Sequence, residues 1–133
     1  MNPMFDALDI SSSALQAQRT RLDTIANNIA NINSTHDAAG KNNPYRRRFT
    51  VFSPGQPDNP GAAGVHVREI KEDPSKFREV QDPNHPGEFI KYPNVDLTTE
   101  YVNALECSRA YEANVTTMEV TKSMLNATLR LIA

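Results

Sequence analysis

Hydrophobic residues in the last third of the chain recur in alternating steps of four and three. The line runs from Leu97 to Ile132, and neither proline nor glycine interrupts it. Its period is the 3.5-residue repeat of a coiled coil. At 1.5 Å per residue, a helix of this extent would be about 54 Å long, too long for the core of a small globule. The pattern therefore predicts a long helix that needs a long partner.

The N-terminal residues supply that partner, because the same alternation runs from Met4 to Ile32. Asn2 is predicted as the N-cap, with Pro3 at the first helical position, where the missing N–H has no cost. Asp96 is predicted as the N-cap of the C-terminal helix. We expect the two helices to pair as a coiled coil. Its predicted seam contains Leu8, Leu15, Leu22, Ile25, Ile29, Ile32, Leu97, Tyr101, Tyr111, Val115, Met118, Leu125, Leu129 and Ile132.

The middle of the chain differs in composition from both ends. All five glycines and every proline except Pro3 lie between residues 34 and 93, where helical periodicity stops. Short extended runs separated by turn residues remain. These runs cover residues 45–53, 65–71, 76–80 and 88–92. They predict hairpins that are too small to be stable alone and that pack on the helices or on another subunit.

The predicted fold class is α+β. Residues 1–33 and 94–133 would form one unit of paired helices, and residues 34–93 a small β-hairpin-containing lobe rich in proline and glycine. A chain of 133 residues is long enough for such a rod with one lobe.

Asparagines crowd the end of the predicted N-terminal helix. Asparagine is a mediocre helix former, because its amide competes for backbone hydrogen bonds. A fraying helix end is one interpretation, but asparagines interleaved with isoleucines favour amides that bond to neighbouring chains. The candidates for contacts between subunits are Asn27, Asn28, Asn31, Arg46, Arg47, Arg48, Arg109 and Asn114.

The three consecutive arginines, Arg46 to Arg48, form the one pronounced charged cluster. In an extended strand, Arg47 would share a face with Tyr45 and Phe49, and basic residues beside aromatic ones can bind single-stranded nucleic acid. The net charge of −2 gives no general support for a nucleic-acid partner. We favour a strand edge that discourages aggregation or contacts an acidic neighbour.

Candidate catalytic and metal-binding residues are few. His36, His66 and His85 share no metal-ligand spacing with one another or with Cys107, the single cysteine. No phosphate-binding loop, nucleophile elbow or acid–base pair stands out. We therefore expect no enzyme, no cofactor, no metal and no small-molecule substrate. No apolar run reaches the roughly 20 residues that span a bilayer, and the N-terminal residues do not predict a cleaved secretory signal.

Two motifs near opposite ends of the chain resemble the signatures of the bacterial flagellar rod, hook and hook-associated proteins. The first is LDTIANNIAN at 22–31, followed by Ser34 and Thr35. The second combines PNVDL at 93–97, YVN at 101–103 and SRAYEAN at 108–114. The short length and the runs at 44–46, 64–67 and 88–92 make the chain similar, over nearly its whole length, to the proximal-rod members. In place of the threonine-glycine-aromatic turn of many members, it has Thr35-His36-Asp37-Ala38.

The resemblance implies a structural protein of the flagellar basal body, without catalytic activity. It implies terminal helices that form the inner layer of a tubular, torque-transmitting rod in the periplasmic space. The implied partners are other copies of the chain, other rod proteins and the type III export apparatus, which would export it without a cleaved signal peptide. Contacts that do not close would build a helical tube, and the termini would order only on docking. The alternative is a soluble coiled-coil adaptor whose proline-rich middle docks a partner.

Overall fold

The structure is a computed structural model, and it describes residues 3–133. It contains two helices and four strands, which confirms the α+β class. The elements are α1 (Pro3–Ala30), β1 (Arg48–Pro54), β2 (Val65–Glu72), β3 (Arg78–Gln81), β4 (Phe89–Tyr92) and α2 (Leu97–Ile132). Asn2, the predicted N-cap of α1, lies outside the described residues.

The two helices lie side by side and run antiparallel. The Cys107 thiol of α2 donates a hydrogen bond to the backbone oxygen of Gln18 in α1, at 3.0 Å. Further along, Arg21 of α1 lies 3.7 Å from Glu106 of α2. Residue numbers that rise along α1 therefore meet numbers that fall along α2. Since α1 has 28 residues and α2 has 36, α2 is the longer of the pair by two turns.

The N-terminus of α2 is capped as the sequence predicts. Asp96 accepts a hydrogen bond from the Thr98 amide at 3.2 Å, and its second carboxylate oxygen accepts one from the Thr99 hydroxyl at 2.8 Å. These bonds satisfy one of the backbone donors that every helix start leaves free. They fix where the chain turns from the hairpins into α2. Neither helix among the described residues has an apolar stretch sufficient to cross a membrane.

The four extended segments form two antiparallel hairpins, so the predicted hairpins are confirmed. Strands β1 and β2 pair from Arg48 opposite Glu72 to Pro54 opposite Val65, with a bulge between Val51 and Phe52. Strands β3 and β4 pair separately over four residues each. The hairpins remain two two-stranded sheets and do not join into one.

The β1–β2 hairpin packs on α1. The Ser13 hydroxyl of α1 accepts a hydrogen bond from the Val65 amide at 3.1 Å and donates one to the Ile10 carbonyl at 2.7 Å. Gly64 precedes Val65 with φ +118°, and a Cβ at this position would lie 2.7 Å from the Ser13 hydroxyl oxygen. A glycine is therefore needed where the hairpin meets the helix.

The β3–β4 hairpin is attached differently. Within residues 3–133 it packs against neither helix and not against the other hairpin. The side chain of Asn42 attaches it to the segment before β1. This side chain donates to the Lys91 carbonyl at 3.1 Å and accepts from the Lys91 amide at 3.0 Å. Arg46 adds a contact beside this hairpin, with its guanidinium 4.2 Å from the ring centre of Phe77.

Candidate assembly site

A buried carboxylate lies where the two helices meet the segment before β1. Glu100, in the first turn of α2, has no exposed surface. One of its oxygens accepts a hydrogen bond from Nε of Arg47 at 2.5 Å, and the other accepts one from the amide of Asn28 at 3.3 Å. A buried charge persists only when it is paired and hydrogen-bonded. The pair therefore ties the start of α2 to the chain that enters β1.

Asn28 joins α1 to the same place. Its amide nitrogen donates to the Arg48 carbonyl at 2.8 Å, and its amide oxygen accepts from the Arg48 amide at 3.0 Å. The same oxygen accepts a hydrogen bond from the Tyr45 hydroxyl at 3.0 Å. Asn28 thus pairs with both backbone groups of Arg48, as a residue of a neighbouring strand would. Burial is the main cause of the raised pKa of Tyr45. This phenol therefore stays protonated and can donate its hydrogen bond to Asn28.

Arg47 has a second acidic partner in Asp73, the residue that follows β2, at 3.2 Å. Burial is the largest single influence and would lower the pKa of Arg47, but the hydrogen bonds and charges of Glu100 and Asp73 together raise it. Hydrogen bonds from Ser75, followed by the contact with Arg47, lower the pKa of Asp73. Both charges are thus held in their ionised forms. We call the group of Asn28, Tyr45, Arg47, Arg48, Asp73 and Glu100 the polar junction.

The three arginines therefore have partners inside their own chain. Arg46 donates to the Asp73 and Ser75 carbonyls at 2.8 and 3.1 Å. Arg48 lies 3.8 Å from Glu72, in an exposed pair. These contacts lie within one chain, so the predicted role of the three arginines in contacts between subunits stays a prediction.

The candidates for contacts between subunits divide into inward and outward groups. Asn28 is 0% exposed, so the structure places it inside the chain and not on a surface that another subunit could reach. Asn31 donates to the Asn27 carbonyl at 2.8 Å and thereby closes the end of α1, and Asn114 donates to the Ala110 carbonyl of its own helix at 2.8 Å. The side chains of Asn27 and Arg109 are exposed. Their role between subunits stays a prediction.

The predicted seam residues also divide by exposure. Ile25 is buried. Those that are half-buried are Leu8, Leu15, Ile29, Ile32, Val115, Met118 and Leu125. The exposed ones are Leu22, Leu97, Tyr101, Tyr111, Leu129 and Ile132. The single continuous seam therefore stays a prediction, and within this one chain part of it faces outwards.

The buried hydrophobic core of the described residues is small. Its members are Ala17, Ile25, Val95 and Cys107, whereas many large apolar side chains of both helices are exposed. A soluble monomer rarely exposes contiguous apolar patches of this kind. Apolar surface on long, paired helices is suited to binding other helices.

A possible metal-binding group lies at the β3–β4 turn. Ligand atoms of Asp82, His85 and Glu88 lie within 4.8 Å of one another, and Nδ1 of His85 is 3.0 Å from an Asp82 oxygen. This hydrogen bond is the main cause of the lowered pKa of Asp82. His85 itself is exposed, as expected for a turn residue. A His–Asp contact is enough to explain the cluster without an ion.

Sequence reasoning missed the role of Glu100, and it interpreted Asn28 as an outward-facing residue. A signal was available in the helical spacing. Asn28 lies three residues after Ile25 and four before Ile32, and Glu100 lies three after Leu97 and four before Ala104. Each is a polar residue within an apolar stripe, and such positions predict a buried polar pair.

Comparison with known proteins shows the family to which this sequence belongs. Residues 8–36 match the family model described as flagella basal body rod protein, and residues 87–131 match the one described as flagellar basal body rod FlgEFG protein C-terminal. The flagellar basal-body rod protein FlgC of Borreliella burgdorferi is 35% identical, over 97% of each chain. The FlgC proteins of Yersinia enterocolitica and Bacillus subtilis are each 38% identical, over 96% of this chain and 97% of theirs.

The two matched regions contain most of α1 and nearly all of α2, so the class is that of the flagellar basal-body rod proteins. The similar relatives match over almost their full length, and all three are FlgC proteins, which narrows the class to one kind of rod protein. The chain belongs to the FlgC family of flagellar basal-body rod proteins.

Proposed function

We propose that the chain is a structural subunit of the flagellar basal-body rod, which assembles through its two terminal helices. The apolar surface that α1 and α2 leave exposed carries this proposal. It is supported by relatives that match this chain over nearly the full length of both sequences and that are named as basal-body rod proteins. A rod subunit transmits torque mechanically, so it needs contacts with neighbours and has no need of a reaction site.

In the rod, the terminal helices would form the inner coiled-coil layer, and residues 34–93 the outer lobe. Heterologous contacts that do not close produce an open helical assembly, which is the form of a tube. The partners would be further copies of this chain and other rod proteins, with the rod lying in the periplasmic space. Export through the type III apparatus, without a cleaved signal peptide, is part of the same proposal.

We further infer that the helices become fully ordered only when the chain docks into the rod. The small core supports this, because little apolar burial is available to offset the ordering entropy of about 1–2 kcal/mol per residue. An incompletely folded chain also suits passage through a narrow export channel.

Cys107 offers a measurement of this ordering. The thiol is buried between the helices, and burial raises its pKa, so the paired helices should protect it from iodoacetamide. We expect fast alkylation of the isolated chain and slow alkylation in purified basal bodies. Equally slow alkylation in both would refute ordering on docking. It would favour the adaptor alternative if the isolated chain also sedimented as a stable dimer.

The rod function is tested in the bacterium that makes the chain. Deleting its gene should give non-motile cells whose purified basal bodies lack a complete rod, and a plasmid copy should restore both. An antibody against the chain should detect it in basal bodies of the wild type. Intact rods in the deletion strain would refute the proposal.

A further inference from the structure

The β1–β2 hairpin has one closed edge and one open edge. On the β1 side, the Asn28 side chain bonds to both backbone groups of Arg48, at 2.8 and 3.0 Å, in the place of a further strand. On the β2 side, no further strand is paired within residues 3–133. Residues 68–72 of β2 are exposed throughout. The outer edge of β2 is therefore accessible to another chain.

The pairing of the hairpin shows which backbone groups of β2 point outwards. The Asp73 amide donates to the Arg47 carbonyl at 2.8 Å, and the residues next to such a pair point their N–H and C=O groups away from the other strand. Arg48 is such a residue, so Glu72, which lies opposite Arg48, points its backbone groups to the outer edge. Ile70, two residues earlier, points in the same direction. Each thus offers a donor and an acceptor to a neighbouring strand.

The side chains along this edge have a self-complementary order of charges. Residues 68–72 are positive, negative, neutral, positive and negative in turn. A second copy of this segment can run antiparallel to the first, with Ile70 opposite Ile70. Arg68 then lies opposite Glu72 of the second copy. Glu69 lies opposite Lys71 of the second copy. Each pairing occurs twice, so four opposite-charge pairs flank two isoleucines, and such pairs across antiparallel strands are stabilising.

Other pairings of this edge bring like charges together. A shift of two residues in one direction places Lys71 opposite Lys71, and a shift in the other direction places Glu69 opposite Glu69. A shift of one residue places outward backbone groups opposite inward ones, so no ladder forms. Parallel strands in register place every charge opposite its own kind. Like charges directly opposite each other are destabilising, so the order of charges selects one arrangement.

The ion pairs that these side chains make within one chain are compatible with this arrangement. Glu69 lies 3.2 Å from Arg68 and 3.4 Å from Lys71, and Glu72 lies 3.8 Å from Arg48. All five side chains are at least 43% exposed, and such pairs contribute little alone. A carboxylate has two oxygens and can accept from a second cation. In the dimer, Glu69 and Lys71 of both copies would form a square in which opposite charges alternate.

We propose that the outer edge of β2 pairs with the same edge of a second copy, antiparallel and about a two-fold axis at Ile70. Two hairpins then form one four-stranded sheet. This inference goes beyond the proposed rod function. A contact between two identical surfaces closes on itself and cannot extend a rod, so it belongs to subunits outside the rod. There it covers an edge that is otherwise a template for aggregation. It also stabilises the folded hairpin, because only that form presents the edge.

Two single variants of opposite charge test this arrangement. Glu69→Lys and Lys71→Glu each place two pairs of like charges in a dimer with itself, whereas a mixed dimer of the two variants has four opposite-charge pairs. One full-length variant carries a fluorophore on its N-terminal amine, and fluorescence-detected sedimentation measures its association with itself and with the other variant. We expect the mixed association to be roughly tenfold tighter than either self-association.

The matched control changes the same charges away from this edge. Lys76→Glu and Glu79→Lys alter exposed residues in and before β3. Their mixture has the same net charges as the edge mixture. General attraction between the two chains, and any association through the helices, therefore contributes equally to both. The proposal is overturned if the control mixture shows the same preference as the edge mixture.

The double variant, Glu69→Lys with Lys71→Glu, gives an independent measurement. It exchanges the two charges within one chain and keeps the edge self-complementary. Its self-association should equal that of the unchanged chain within about threefold, whereas each single variant should fall roughly tenfold below it. If the unchanged chain or the double variant associates no more tightly than the single variants, the edge pairing is wrong.

These results can be separated from the rod function. If basal bodies contain the chain but the two edge variants show no preference for each other, the edge pairing is wrong and the rod function stands. If basal bodies of the wild type lack the chain, the rod function itself fails, whatever the edge of β2 binds.

Discussion

Removing the Arg47 side chain tests the central role of the polar junction. Arg47→Met keeps the length of the side chain and removes its charge, so the buried carboxylate of Glu100 loses its close partner at 2.5 Å. Removing one member of a buried ion pair costs about 3–5 kcal/mol, because the remaining charge is left uncompensated. Domains of this size are stable by only about 5–15 kcal/mol. The variant should therefore lose a large share of its unfolding free energy.

The measurement is urea unfolding followed by far-ultraviolet circular dichroism, at a protein concentration at which the chain associates and its helices are ordered, and both variants are compared at that same concentration. Arg48→Met is the matched control, since it removes the adjacent arginine from an exposed pair at 3.8 Å. Such surface pairs contribute about 0–1 kcal/mol. A second variant, Arg47→Met with Glu100→Leu, removes both charges and should recover most of the loss. The reasoning is refuted if Arg47→Met costs no more than the control, or if the double variant is less stable than the single one.

Two further predictions concern a backbone contact and an acidic side chain. Gly64→Ala should cost about 2–3 kcal/mol, because it adds backbone strain at φ +118° and a Cβ 2.7 Å from the Ser13 hydroxyl. Gly40→Ala has positive φ but nothing within 4 Å, so a loss equal to that of Gly64→Ala in thermal unfolding would argue against the clash. Hydrogen bonds from Ser75 hold the pKa of Asp73 below its unfolded value. The stability that Asp73 contributes is therefore complete above about pH 4 and is lost as the pH falls through the folded pKa. Asp73→Asn should flatten part of this acid dependence, and an unchanged pH profile would contradict it.

The sequence predicts the helices and strands well because their signals are local. The four-three period is repeated over many turns of α2, and the Asp96 cap depends on residues two and three positions away. The polar junction depends on distant residues. Arg47 and Glu100 are separated by 53 positions, and no spacing rule links them. Only the folded chain brings them together.

It was harder to predict which side chains of the helices are buried and which are exposed, for a related reason. A 3.5-residue line marks which residues share a face, but it does not say how far the partner helix extends. Because α1 is shorter than α2, Leu129 and Ile132 lie on the predicted seam and are nevertheless exposed. Asn28 lies within the apolar stripe of α1, so its burial can be deduced from its position in the sequence. The hydrogen-bond partners of its amide cannot be deduced in this way.

The separate attachment of the β3–β4 hairpin has a practical and an evolutionary consequence. Within residues 3–133 this hairpin packs on neither helix and is held by two hydrogen bonds between Asn42 and Lys91. Residues added at its turn would therefore not disturb the helix pair. A peptide tag placed there would mark the chain in living cells at little cost to its assembly. The same independence would let this hairpin change in sequence and length between species, while the helices, which meet neighbouring subunits in the proposed rod, stay constrained.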